Sequence, residues 1–281
     1  MAIRSSTGLL VMVILVASTF SFLPTVAAYS PSSTVQSHPN WSIGFNNGKG
    51  GHGGGGFTCP TISGADQSVC STNWSGYVDT GSAGTVTYVS GSWTVPTLQC
   101  PSSGTTYVAI WVGIDGYTST TVEQTGVLGE CSSGTTTYSA WYEFYPAAMV
   151  TISGIKVSPN DGFTASVTAN GGGSFSITIT DTTTGSTNTT TGTVSGAQQS
   201  SAEWILERPA LCRVAHCTLS TLANFGNPEP FTSASATVGG KTGAISAFSD
   251  VAVTMVGGSS GPILALPSPL SGGTSFTIAY Q

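Results

Sequence analysis

The sequence predicts an all-β fold, an antiparallel β-sandwich, on three observations. From Asn73 onward, short stretches alternate apolar and polar residues, which is the pattern of half-buried strands. Gly, Ser, Asn and Pro separate these stretches, as expected of turns. No apolar repeat of helical period runs for the length of a helix. About 200 residues organised in this way suffice for one domain with its own core.

The first 28 residues are expected to be a signal peptide. Arg4 precedes an apolar stretch from Leu9 to Ala17, and Val26–Ala28 offers a small-residue cleavage site. Polar residues and Pro24 interrupt the stretch before it reaches the length of a membrane span. We therefore expect a secreted, extracellular protein with no membrane association after signal removal.

Residues 29–70 are predicted to be a pro-segment or linker, followed by the folded domain at 71–281. The first of these segments lacks a periodic pattern and contains a glycine-rich run at residues 50–56. Such a run buries no apolar area and is typical of a linker.

Within the folded domain the predicted strands follow one another at short intervals. A turn signal at Asn170–Gly173 predicts a hairpin between the third and fourth of them. The predicted strands are Thr85–Val89, Tyr107–Val112, Phe163–Thr168, Ser174–Thr180, Ala202–Leu206, Ala244–Phe248, Val251–Val256 and Ser275–Tyr280.

Six cysteines in a secreted chain indicate disulfides. Proximity in sequence favours Cys59–Cys70, Cys100–Cys131 and Cys212–Cys217, among roughly 15 possible connectivities. Three glycosylation motifs begin at Asn40, Asn73 and Asn188.

Charged residues make up only 6% of the chain, with a net charge of −6. An acidic balance argues against a nucleic-acid partner. Because acid unfolds proteins by protonating paired carboxylates, a chain with few of them loses little stability as pH falls. Composition alone leaves two interpretations open, a protein adapted to acid and an ordinary Ser/Thr-rich secreted β-protein.

One carboxylate, Glu143, stands in the aromatic run from Ser139 to Pro146. Alternation puts Trp141, Glu143 and Tyr145 on one face of a strand, with Tyr142 and Phe144 on the other. An acid between rings is partly desolvated, which is expected to raise its pKa.

Histidine and metal chemistry find little support. His38 and His52 lie in the linker, so a Ser-His-Asp site would need His216, which stands in a predicted disulfide loop. The cluster of Cys212, His216 and Cys217 lacks a fourth zinc ligand, and a disulfide suits an oxidising compartment better.

The sequence Asp79-Thr80-Gly81 resembles the signature of pepsin-like aspartic peptidases. That mechanism needs two such aspartates sharing a proton, and no second copy of the motif follows. We therefore favour a turn at Asp79.

Six segments in order resemble the motifs of the eqolisins, the acid-acting glutamic peptidases. The resemblance extends from Asn73 to about Leu206. The C-terminal strands are similar only in their alternating pattern. The segments are Asn73–Tyr77, Ser92–Pro96, Trp111–Gly116, Gln124–Val127, Trp141–Pro146 and Ala202–Leu206.

The resemblance implies a concanavalin-like sandwich of two large curved sheets with a catalytic Gln–Glu dyad, here Gln124 and Glu143. It implies a polypeptide substrate, no cofactor and no metal, and we expect a monomer. By motif match, Trp74, Trp111, Asp115 and Trp141 are the expected substrate-binding residues, although Asp115 also suits a turn with Gly116. Trp93 and Trp204 are expected in the core.

Two departures from the family pattern are visible. Glu123 stands where an apolar residue is usual, and residues 127–130 replace a stretch that often carries an aspartate. Two rival functions remain at this stage. One is a carbohydrate-binding module that presents tryptophans, and the other is a retaining glycosidase that uses Glu123 and Glu143.

Overall fold

The structure is a computed structural model that describes residues 34–36, 58–213, 216–226, 228–258 and 261–281. All of them belong to the compact unit Ser33–Gln281. The expected signal peptide, the glycine-rich run, His38, His52 and Asn40 lie outside the described residues. The described part contains no helix long and apolar enough to span a membrane.

Nineteen strands and one short 3₁₀ helix, Ile245–Ala247, make up the described fold. In chain order the strands are β1 Thr34–Gln36, β2 Gln67–Ser71, β3 Trp74–Thr80, β4 Val86–Thr94, β5 Thr105–Ile114, β6 Val122–Ser132, β7 Thr135–Tyr145, β8 Val150–Thr151, β9 Gly162–Gly171, β10 Ser174–Asp181, β11 Thr187–Thr193, β12 Ser201–Glu207, β13 Ala210–Arg213, β14 His216–Leu219, β15 Glu229–Val238, β16 Lys241–Gly243, β17 Ser249–Val256, β18 Ile263–Pro267 and β19 Phe276–Tyr280.

Hydrogen-bonded strands form one long sheet that folds back on itself into a sandwich. Its order is β11-β10-β9-β4-β15-β19-β18-β17-β3-β12-β5-β6-β7-β8, with β16 beside β15 and β2 beside β17. β4 and β12 meet face to face. The approach is close at Gly91 of β4, where a Cβ would lie 2.8 Å from the ring of Trp204 on β12. A separate small sheet has the order β1-β13-β14.

Apolar side chains form two large clusters, one on each face of the layer that contains β3, β12, β5, β6 and β7. The inner cluster fills the space between the two layers and includes Trp93, Val112, Phe163, Ile177 and Trp204. The outer cluster covers the opposite face and includes Trp74, Trp111, Trp141, Ile205 and Val253. The core position expected of Trp93 and Trp204 is thus confirmed.

The strand predictions are confirmed apart from Ala244–Phe248, which was wrong. There the amides of Ala247 and Phe248 bond to the carbonyl oxygens of Ala244 and Ile245, which makes a 3₁₀ turn. Only Ile245 in that helix is buried, so its apolar residues do not form a strand face. The hairpin at Asn170–Gly173 is confirmed between β9 and β10.

The three predicted disulfides are all present, Cys59–Cys70, Cys100–Cys131 and Cys212–Cys217. The first connects Cys59 to β2, and β2 pairs in parallel with β17. Part of the stretch assigned to the linker is therefore integral to the long sheet.

The predicted turn at Asp79 was wrong. Asp79 lies within β3, fully buried, and faces Asp250 of β17 in the strand register. The reversal of the chain follows later, where the amide of Thr85 bonds to the carbonyl of Ser82. The turn-forming residues of this segment act after the aspartate rather than at it.

Candidate active site

The hairpin of β6 and β7 brings Gln124 opposite Glu143. The two strands join through Ser133 and Gly134, both with positive φ, and the resulting register pairs Gln124 with Glu143. The side-chain amide Nε2 of Gln124 donates a hydrogen bond of 2.6 Å to Oε2 of Glu143. Both residues are buried, with exposed fractions of 1% and 0%.

The alternation expected along β7 is confirmed. Trp141 and Tyr145 belong to the outer cluster, on the face that carries Glu143. Tyr142 and Phe144 pack against the inner cluster. Burial and the charge of Glu143 raise the pKa of Tyr145. The carboxylate therefore sits on the outer face, among rings.

Two glycines allow the outer face to pack this closely. A Cβ on Gly113 would lie 2.9 Å from the ring of Trp111 and 3.1 Å from Cβ of Gln124. A Cβ on Gly126 would overlap the carbonyl oxygen of Ile110. Because neither residue has a side chain, the Trp111 ring can lie against the strand that carries Gln124.

Glu207 is a second carboxyl on the outer face, and the sequence reasoning missed it. It is fully buried on β12, where its Oε2 accepts a bond of 2.9 Å from Nε1 of Trp111. Burial raises its pKa well above the ordinary value, the bonds from Asn73 and Trp111 oppose this, and the charge of Glu143 adds to the rise. The charge of Glu143 thus acts on the titration of Glu207.

Glu203 is a third buried carboxyl of this layer. The register places it in one cross-strand row with Gly113 and Gln124. Burial raises its pKa well above normal, Ser201 opposes the rise, and Asp115 and Glu123 add to it. The alternation of Glu203, Ile205 and Glu207 along β12 was the signal in the sequence that could have located both acids on one face.

Among the residues predicted to bind substrate, the three tryptophans come together and Asp115 does not join them. Trp74, Trp111 and Trp141 all lie in the outer cluster, and the first two rings meet edge to face at 5.1 Å. Asp115, at φ 70° after β5, accepts bonds from the backbone amides of residues 198–200. Its carboxylate anchors that loop, and its contact with substrate stays a prediction.

The geometry does not favour either rival function. Glu123 lies in the row of Ile114 and Phe144, facing the inner cluster, so it and Glu143 point away from each other. A retaining glycosidase needs its two carboxyls about 5 Å apart on one side. Trp93 and Trp204 lie in the inner cluster, and Trp111 of the outer face donates its ring N–H to Glu207, which is an arrangement for holding a carboxyl rather than for presenting a ring to a sugar.

Metal chemistry also lacks a cluster of ligands in the described part of the chain. No three His, Cys, Asp or Glu side chains there are placed to hold a metal ion. Cys212 and Cys217 form the disulfide that the sequence favoured over a zinc site.

Comparisons with known proteins identify the family of this chain. A family model described as the Peptidase A4 family matches residues 72–280. Aspergillopepsin-2 of Aspergillus niger is 36% identical over 203 residues, which are 64% of this chain and 70% of that protein. Scytalidopepsin B of Scytalidium lignicola is 33% identical over 184 residues, 63% of this chain and 68% of that protein.

A solved structure of similar fold is scytalido-glutamic peptidase with a transition state analog inhibitor. It is 29% identical to this chain, with a TM-score of 0.65. The match covers 75% of this chain and 98% of that structure.

Proposed function

Because the chain belongs to the peptidase A4 family and is therefore a peptide-hydrolysing enzyme, we propose that it is a secreted endopeptidase that acts in acid through Gln124 and glutamates of the outer face. The observation that supports this most is the direct bond from the Gln124 amide to the Glu143 carboxylate, on a face built of aromatic rings. Peptide hydrolysis needs a base for water, a donor for the oxyanion and an acid for the leaving nitrogen.

Gln124 is the proposed oxyanion donor. Its side-chain amide carries two N–H groups, and the bond to Glu143 fixes the orientation of the amide plane. The second N–H is assigned to the carbonyl oxygen of the substrate as it becomes an oxyanion. An amide does not titrate, so this donor works unchanged in acid.

Glu143 is the proposed base, as the sequence predicted, and Glu207 is added as a second carboxyl of the same proton-transfer site. Two observations favour including Glu207. One oxygen of Glu143 is already engaged by Gln124, and the charges of Glu143 and Glu207 interact. Such a pair loses its protons in two steps that belong to both groups. In the intermediate state one carboxyl is ionised and the other holds a proton.

The reaction then proceeds in two proton transfers. The ionised carboxyl takes a proton from water as the water oxygen bonds to the carbonyl carbon, and Gln124 stabilises the oxyanion. The C–N bond breaks as a protonated carboxyl gives its proton to the departing nitrogen. Both carboxyls regain their starting state once the products leave.

Polypeptides are the proposed substrates, and the trimmed chain is the proposed active form. In the full chain Gln124, Glu143 and Glu207 have 0–1% exposure, so a substrate reaches them only after the site opens. Strand β1 pairs with β13, which begins shortly after Glu207. We therefore place the activity in a protein from which the expected pro-segment has been removed.

The test measures cleavage of an unfolded protein by the purified, trimmed enzyme at pH below about 4–5, near the pKa of an ordinary carboxyl. Gln124→Ala should lower the rate by two to three orders of magnitude, about the value of one oxyanion donor. Glu143→Gln and Glu207→Gln should each remove most activity while leaving the circular dichroism spectrum unchanged.

Two controls define the chemistry. Chelators and pepstatin-type inhibitors should have no effect, whereas inhibition by pepstatin would move the assignment to Asp79. Near wild-type rates in Glu143→Gln would refute its role as base, and the same result in Glu207→Gln would restrict the site to Gln124 and Glu143.

A further inference from the structure

Asn73 connects the start of β3 to Glu207 through a short series of buried hydrogen bonds. Its amide Nδ2 donates to Oε1 of Glu207 at 3.1 Å, while Trp111 donates to the other oxygen. Asn73 is 1% exposed. The Glu207 carboxyl is therefore held at both oxygens by uncharged N–H donors, one from the β2–β3 connection and one from β5.

Ser71 determines which way the Asn73 amide faces. The Ser71 hydroxyl accepts bonds from the backbone amides of Asn73 and Trp74, at 3.3 and 3.1 Å. Its single proton is directed to Oδ1 of Asn73 at 3.1 Å. Because both lone pairs of the hydroxyl already accept from backbone amides, the Asn73 atom that faces Ser71 must accept the one remaining proton. That atom is therefore Oδ1, and Nδ2 faces Glu207.

We propose that Asn73 is a positioning residue for peptide hydrolysis, holding the Glu207 carboxyl against Trp111 in the geometry for proton transfer. This inference rests on the proposed role of Glu207. A backbone bond supports it, since the amide of Arg208 donates to the carbonyl of Asn73 at 3.0 Å and fixes the two strands beside each other.

The chemistry explains why an amide suits this position. A donor to a carboxylate stabilises its ionised form, which opposes the rise in pKa that burial causes. A lysine or arginine would favour the ionised form more strongly and would hinder protonation in acid. An amide contributes the same donor at every pH and adds no charge.

The same bond uses the side chain of Asn73, the first residue of a glycosylation motif, inside the protein. Nδ2 is the atom that would carry a glycan, and here it lies buried against Glu207. Asn188, by contrast, lies on β11, the terminal strand of the long sheet.

The test compares Asn73→Ala and Asn73→Asp with Asn170→Ala, all in the trimmed enzyme. Asn170 serves as a control for losing an asparagine side-chain bond away from the site, because its amide donates to the Ser176 hydroxyl in the exposed β9–β10 hairpin. Asn73→Ala should lower kcat about 10- to 100-fold, the scale of a misplaced reacting group, with little change in KM. The acid limb of its pH profile should move to higher pH, because Glu207 loses a bond that favours ionisation.

Asn73→Asp separates positioning from mere packing. Its carboxylic acid, when protonated, keeps a donor of similar shape, so it should retain more activity than Asn73→Ala near pH 3. That advantage should disappear as the new carboxyl ionises above about pH 4. Thermal unfolding at pH 3 checks that each variant is folded.

The outcomes distinguish the two proposals. If Glu207→Gln is inactive while the pH profile of Asn73→Ala matches the wild type, the role of Asn73 is refuted alone. If Glu207→Gln is active, the proposed role of Glu207 fails, and the role of Asn73 fails with it. Parallel losses in Asn73→Ala and Asn170→Ala would also refute positioning.

Discussion

At the scale of single residues, the polar groups of the active-site layer are buried on both of its faces. Gln124 and Glu143 face outward and bond to each other, whereas Glu123, the next residue along β6, faces the inner cluster. Burial raises the pKa of Glu123 to about 9, the charge of Asp115 adds to the rise, and Thr121 opposes it. Glu123 is thus a neutral acid at working pH and contributes no charge to the proposed site of Gln124, Glu143 and Glu207.

Replacing Glu123 by Leu should stabilise the protein. A buried polar group costs about 1–3 kcal/mol, so we expect a gain of about 1 kcal/mol at pH 4. The gain should grow to about 4–5 kcal/mol at pH 7, because ionisation in the unfolded state adds about 1.4 kcal/mol per pH unit to the penalty of the native acid. Urea unfolding at the two pH values measures both. Glu123→Gln should show only the pH 7 gain, and destabilisation by Leu at both pH values would contradict this account.

The residues that sequence reasoning found and missed differ in how locally they are specified. Gln124 and Glu143 lie on consecutive strands, so motif and alternation together placed them on one face. Glu207 comes much later in the chain, on a strand that pairs with both β3 and β5. Its approach to Trp111 depends on that long-range pairing, which periodicity does not encode. The turn predicted for Asp79 failed for the same reason, since its partner strand is β17.

At the scale of elements, the β5–β6 pair determines how Trp111 meets the strand of Gln124. Gly126 lies opposite Trp111 in the register, and β7 places Trp141 on its other side. The two indoles therefore flank a position with no side chain. The sequence pattern located β5 and the part of β7 around Glu143, but the predicted strands did not include β6, which is buried on both faces and so lacks a clear alternation. What the sequence did not provide was the order of strands across the layer, in which β12 lies between β3 and β5.

Gly126→Ala should disrupt this pair. The added methyl would overlap the carbonyl of Ile110 and lie 2.6 Å from Cβ of Trp111, so strand and ring must both shift. Overpacking of this kind costs about 1–3 kcal/mol, and activity should fall as well because Trp111 holds Glu207. Gly154→Ala is the matched control, since its φ is not positive either and the added methyl meets no atom within 4 Å. Equal stability of Gly126→Ala and wild type would contradict the close approach.

At the scale of the whole molecule, buried acids dominate the ionisable groups. Burial raises the pKa of Asp79 to about 9, with Asp250 adding to the rise, and raises those of Glu203, Glu207 and Glu229 well above normal. Asp250 also accepts a 2.7 Å bond from the amide of Asp66, next to β2. Low charge content suggested a protein that tolerates acid. The structure adds that several of its few carboxyls are stable in the fold only while protonated.

The stability of the fold should therefore fall as pH rises. Each acid with a raised native pKa stabilises the fold fully below its unfolded pKa, near 4, and this contribution is lost as pH approaches the native value, about 9 for Asp79. The loss is about 1.4 kcal/mol per pH unit and group. Thermal unfolding between pH 3 and 8 should show a steady decline in Tm. Asp79→Asn should make the free energy of unfolding decline less steeply with pH, by about the 1.4 kcal/mol per pH unit that one titrating group contributes. Thr80→Ser, beside it on β3, should leave that slope unchanged. A Tm that rises between pH 4 and 7 would show that these acids are ionised in the folded protein.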